Sequence, residues 1–111
     1  MREIKISEDA YCDIEEIFSY VTKDNKAAAQ SLRRKIHDKI KELRDFPFKY
    51  PMLQEEHAPG AERGYRYMHV SPYIVFYRVT DRGGIIIARV LHSRRNWMQA
   101  LSDNADEYGE D

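Results

Sequence analysis

The sequence predicts an α+β domain: an N-terminal short strand and an antiparallel helical hairpin packed on a twisted antiparallel β-sheet, closed by a short C-terminal helix. Three observations predict it. Apolar residues recur at helical spacing from Ala10 to Leu43, and the period changes to that of a strand from Arg63 onward. Only Lys23-Asp24-Asn25 separates the two helical stripes, which leaves an antiparallel hairpin as the way to pair them. The chain has 111 residues, 42% apolar and 33% charged, a balance that fits one globular domain. We assign residues 1–102 to that domain. Residues 103–111 form an acidic tail with too little apolar surface to order itself.

The elements follow in order. Residues 2–6 read as a strand with Ile4 and Ile6 on one face. Ser7 is placed to cap a helix, with Glu8 and Asp9 favourable in its first turn. Its apolar stripe is Ala10, Ile14, Ile17, Phe18 and Val21, with Asp13, Glu15, Glu16 and Ser19 assigned to the opposite, polar face. Asp24 or Asn25 caps a second helix, whose stripe is Ala28, Ala29, Leu32, Ile36, Ile40 and Leu43. Phe46-Pro47 and Tyr50-Pro51 end it, because proline disfavours helix at the residue before it. Residues 47–62 read as a polar loop. Tyr65, Tyr67 and His69 then alternate with Arg66, Met68 and Val70, Ser71-Pro72 turns, and residues 73–79 form a strand apolar on both faces, hence central. Asp81-Arg82-Gly83-Gly84 is a hairpin turn, residues 85–91 a second buried strand, and Trp97–Leu101 one or two helical turns.

Several chemistries are excluded by residue type and spacing. No glycine-rich phosphate loop occurs, since Gly83-Gly84 lacks the required spacing. His37, His57, His69 and His92 show no paired zinc-ligand spacing, and the sheet carries only Asp81, in a turn, so no carboxylate cluster is available for metals. We therefore expect neither cofactor nor metal. Cys12 alone forms no internal disulfide and falls on the polar side of the first helix. No apolar run is long enough to span a membrane, and the charged N-terminus has no secretory core, so a cytoplasmic protein is expected.

The net charge of −1 conceals a partition. Residues 63–102 carry seven arginines, Arg63, Arg66, Arg78, Arg82, Arg89, Arg94 and Arg95, against Asp81 alone, and no lysine. Guanidinium forks suit phosphate and carboxylate, which makes this block a candidate surface for an acidic partner; the plainer reading is a set of solubilising charges around a sheet. Within it, Arg63-Gly64-Tyr65-Arg66-Tyr67 interleaves cations and rings as nucleic-acid surfaces do, and equally as exposed strands do. His92, two residues before Arg94-Arg95, suits a general acid or base beside charge-stabilising arginine. The competing and preferred reading is a capping histidine packed beneath the C-terminal helix. Trp97 reads as a lid on the sheet rather than a base-stacking platform.

Residues 73–79, a glycine-containing turn, and Ile87-Ala-Arg-Val-Leu-His92-Ser-Arg-Arg95 resemble the C-terminal half of RelE/ParE-superfamily toxins. Ala10, Asp13-Ile14, Ile17, Tyr20-Val21 and the helix ending at Phe46-Pro47 resemble the first half, so the likeness spans roughly residues 2–101. It implies the same fold, and a toxin of a type II toxin–antitoxin pair held inactive by a cognate antitoxin protein. It also implies one of two targets. RelE-like members cut mRNA on the ribosome without metal; ParE-like members inhibit DNA gyrase by binding.

The nuclease branch tends to place an arginine directly after the aromatic that opens the central strand, where this chain has Ile74 after Tyr73. Phe76-Tyr77-Arg78-Val79 and Arg89-Val90-Leu91-His92 match the ParE-like pattern instead. A gyrase-binding toxin is therefore the expectation, with Arg63, Arg66, Arg78, Arg89, Arg94 and Arg95 as target- or nucleic-acid-binding residues. The alternative is a metal-independent mRNA endoribonuclease in which His92 and Arg94 are catalytic, and a further one is a member that has lost its toxicity.

Overall fold

A computed structural model describes residues 3–53 and 64–103. Its elements are β1 (Ile4–Ile6), α1 (Glu8–Asp24), α2 (Lys26–Glu42), β2 (Arg66–Val70), β3 (Tyr73–Val79), β4 (Ile85–His92) and α3 (Trp97–Asp103). Arg63, residues 54–62 of the predicted loop and the acidic tail beyond Asp103 lie outside the described residues.

The α1–α2 hairpin turns on one residue. The Asn25 backbone N–H donates to the Val21 carbonyl at 2.9 Å and ends α1, while its side-chain oxygen accepts from the Ala28 N–H at 3.0 Å and starts α2. Of the two predicted caps, Asn25 is the one used: its backbone closes α1 and its side chain opens α2. Ser7 caps α1 by accepting from the Ala10 N–H at 3.0 Å. Its hydroxyl also donates to the Ala88 carbonyl at 2.9 Å, which fixes the helix start to β4.

The sheet runs β1-β4-β3-β2. Tyr73–Val79 is central, as its two apolar faces require, and pairs antiparallel with both β2 and β4. The α+β class is the predicted one, but the sheet is mixed rather than wholly antiparallel: β1 pairs parallel with β4 from Ile4↔Ile85 to Ile6↔Ile87. The α1–α2 hairpin is the crossover that makes a parallel return possible. Between Phe76↔Arg89 and Tyr77↔Ile87 the register shifts, and Ala88 is the extra residue of a bulge on β4.

Two cores flank the sheet. On the hairpin side, Ala10, Ile36, Ile40 and Leu43 pack on Met68, Val70, Val75, Tyr77, Ile87 and Val90. On the other, Leu53, Tyr65, Ile74, Phe76 and Leu91 pack with Ala100 and Leu101 of α3. Cys12 is exposed on α1, as its position predicts. Among the described residues no helix is long and apolar enough to cross a membrane.

One assignment is overturned. Asp13 is not on the solvent face of α1; it is buried. β1 covers β4 only as far as Ile87, so the open edge beyond it needs a partner, and Asp13 accepts the Val90 N–H at 2.9 Å. Its position is three residues after Ala10 and four before Ile17, inside the apolar stripe.

Candidate functional site

Among the described residues, the predicted arginines do not gather on one surface. Arg94 and Arg95 are exposed in the turn after β4. Arg66 lies toward the other end of the sheet: it pairs across to Tyr77, whereas His92 pairs to Tyr73. The Arg66 Nη1 donates to the Tyr50 carbonyl at 2.7 Å, and its guanidinium stacks 5.1 Å from the Phe48 ring centre. Arg78 is 8% exposed, on the α3 face of β3 opposite Ile86. Arg89 is 7% exposed and bonds both oxygens of Asp13, so it belongs to the interior rather than to an outward cationic face. A cation in an apolar strand requires such a partner, since an unpaired buried charge is far more costly than a paired one.

His92 belongs to a different place from Arg78. Its ring meets Tyr73 edge-on at 5.4 Å, and its Nδ1 accepts the Arg94 N–H at 3.1 Å, which sets the ring and organises the turn. It therefore faces α1 and is not tucked beneath α3 as the preferred sequence reading had it. The bulge at Ala88 and the pairing with Tyr73 put it on the hairpin side of the sheet. There a groove of about 450 Å³ is lined by Asp13, Glu16, Tyr20, Tyr73, His92 and Arg95 among others. Burial, and then the neighbouring Tyr20, push the Tyr73 phenol above its ordinary pKa. Arg95 shares this groove with Glu16 and with Asp13, whose carboxylate is already taken up by Arg89.

On the opposite face, the position where a nuclease-like arginine was sought is filled by Ile74, 5% exposed and paired with Leu91. Trp97 packs on Phe76 with ring centres 5.3 Å apart, the lid arrangement its position suggested. Ala100 and Leu101 complete the cover. Among the described residues no group of three His, Cys, Asp or Glu side chains is placed to hold a metal ion.

Sequence reasoning passed over Glu16, Tyr20 and Tyr73 as groove-lining residues, and over the segment from Phe46 to Leu53. The latter read as a polar loop, yet Phe46, Phe48 and Met52 are exposed while the backbone around them is tightly held. Two prolines and two phenylalanines within six residues are the signal for a stiff, apolar connection.

Comparison with known proteins places this arrangement. Residues 4–97 match the family described as the ParE toxin of the type II toxin–antitoxin system parDE. A solved structure, the chromosomal ParDE toxin–antitoxin system from P. aeruginosa, superposes with a TM-score of 0.66 at 20% identity, covering 83% of this chain and 96% of that chain. At that identity the likeness is one of fold. No curated protein matches the sequence. With most of its length matched, from β1 to the start of α3, the chain belongs to the ParE toxin family of type II toxin–antitoxin systems.

Proposed function

We propose that this toxin acts in the cytoplasm by binding DNA gyrase, without breaking a bond, and that a cognate antitoxin protein neutralises it. The observation that carries this reading is the state of the sheet face under α3. Ile74 occupies the place where a nuclease-like arginine would stand, and Arg78, the one basic residue of β3, is nearly as buried. A metal-free nuclease stabilises a phosphorane-like charge with cations that reach the scissile phosphate, beside an acid or base in hydrogen-bond range. Here Arg78 faces α3 and His92 faces α1, so the two do not converge on one phosphate.

The ribonuclease reading is favoured by one feature only, the grouping of His92, Arg95, Tyr73 and Tyr20 in one groove. Two parallel assays separate the readings, using the full chain freed of antitoxin: gyrase-dependent supercoiling and cleavage of ribosome-bound message. Inhibited supercoiling with intact message is the expected result. Cut message with unaffected gyrase overturns the proposal and makes the His92 groove an active site.

A further inference from the structure

We propose that Phe46, Phe48 and Met52 form a docking strip for a segment of the antitoxin that carries apolar residues flanked by carboxylates. The proposal rests on the toxin–antitoxin reading above and adds the place and chemistry of the contact.

The strip is rigid. The buried Tyr77 hydroxyl donates to the Pro47 carbonyl at 2.8 Å, and Tyr50 donates to Glu42 at 2.6 Å. Arg66 holds the Tyr50 carbonyl at 2.7 Å. Farther along, the Tyr67 N–H donates to the Pro51 carbonyl at 3.1 Å and the Leu53 N–H to the Tyr65 carbonyl at 2.9 Å, so residues 51–53 lie along β2. A backbone fixed at so many points also fixes which way its side chains leave it, and here Phe46 is held 57% exposed, Phe48 59% and Met52 44%. Apolar anchors preset on a stiff backbone bind with little further loss of conformational freedom.

The rim states the partner's charge. Lys49 Nζ lies 5.9 Å from the Phe46 ring centre and 5.5 Å from that of Tyr50, and Arg66 lies over Phe48. Glu42 pairs with Lys39 at 4.0 Å and with Lys49 at 3.2 Å, so two cations share one carboxylate beside the strip, and Arg66 adds a third positive charge over Phe48. A partner presenting carboxylates beside its apolar residues complements this rim. A second copy would bring an identical excess of cations against it and be repelled. Three anchors within seven residues of one connection make a narrow strip, the footprint of a laid-down polypeptide segment; a globular face of standard size needs a far broader patch.

The test uses the full-length chain with the product of the reading frame adjacent to its gene, co-expressed and purified. The double substitution F46S/F48S alters two exposed side chains, and circular dichroism checks that the fold persists. The expected result is affinity weakened by about tenfold or more. The K49E chain is expected to lose part of the salt dependence of association, while the remote K23E chain binds as wild type does. Unchanged affinity of F46S/F48S overturns the proposal. So does a loss of gyrase inhibition with antitoxin affinity intact, which assigns the strip to the target. Self-association abolished by F46S/F48S at unchanged antitoxin affinity overturns it in favour of a second copy. A wild-type chain that does not bind the neighbouring product removes the toxin–antitoxin reading itself, whereas binding that ignores F46S/F48S removes only the strip.

Discussion

Asp13 and Arg89, 76 positions apart, form a buried two-point ion pair, Nε to Oδ2 at 2.7 Å and Nη2 to Oδ1 at 2.8 Å. Asp13 also accepts the Val90 N–H, and Arg89 Nη1 reaches toward the Ala100 carbonyl at 3.4 Å. One ion pair thus ties α1, the open end of β4 and α3 together. The first prediction concerns its removal. Asp13→Ala leaves a buried guanidinium and a buried amide without their acceptor, so it should lower unfolding free energy by about 3–5 kcal/mol, read from urea denaturation. Adding Arg89→Met should recover part of that loss, since the charge is gone, but not all of it, since the Val90 amide is still unmatched.

A second prediction follows from the Glu42–Tyr50 contact. The hydrogen bond from Tyr50, and then that from Lys49, holds the Glu42 carboxyl below its usual range. A carboxyl lowered in the folded chain adds stability above its unfolded pKa, and that contribution is lost as pH falls through the folded value. Tyr50 moves the other way: burial, then the Glu42 bond, pushes it up to about 12. From about pH 10 to about 12 the unfolded chain ionises this phenol while the folded chain keeps its proton, so stability falls across that window. Tyr50→Phe should flatten this alkaline decline and also weaken the acid one. Denaturation midpoints measured across pH check both limbs, and an unchanged alkaline limb would exclude Tyr50 as its source.

Much of the architecture was readable because it rests on periodicity. The stripes on α1 and α2, the doubly apolar β3 and the Gly83 turn, whose φ is +87°, each follow from local residue choice. The parallel placement of β1 was not readable, since three residues of alternating pattern do not name their neighbour. The site was less legible than the fold for a related reason. Charge counted along a chain treats every arginine as surface, whereas Arg78 and Arg89 occupy strands whose two faces are both covered. An aspartate inside the α1 stripe and an arginine inside an apolar strand were a complementary pair in the sequence, but linking them requires knowing that α1 crosses the end of β4. The Phe46–Met52 strip was hidden because prolines announce a loop, and say nothing of which way its side chains face.

A third prediction uses Trp97, the single tryptophan of the chain, as an intrinsic probe of α3. Its ring lies against Phe76 while Leu101 is fully buried in the same cluster. Leu101→Ala should cost about 2–5 kcal/mol and loosen the helix from the sheet. Trp97 emission should then shift to longer wavelength before the main unfolding transition. A single transition, with emission unchanged until the whole chain unfolds, would mean that α3 is held by more than this contact.

The last prediction separates structure from chemistry at His92. Its Nδ1 accepts one amide of an exposed turn, and its ring edge meets Tyr73. Water replaces the first contact readily, and an edge-on aromatic pair contributes about 0.5–1.5 kcal/mol. His92→Ala should therefore lower stability by about 1 kcal/mol and leave gyrase inhibition at its wild-type level per folded molecule. Arg94→Ala and Arg95→Ala alter exposed cations that the interior does not need, so they should be nearly neutral for stability while weakening inhibition. Supercoiling assays normalised to folded protein read the three variants side by side. If His92→Ala abolished activity while its fold and melting behaviour stayed intact, the imidazole would be doing chemistry. The groove it shares with Tyr20, Tyr73 and Arg95 would then be the place where that chemistry happens.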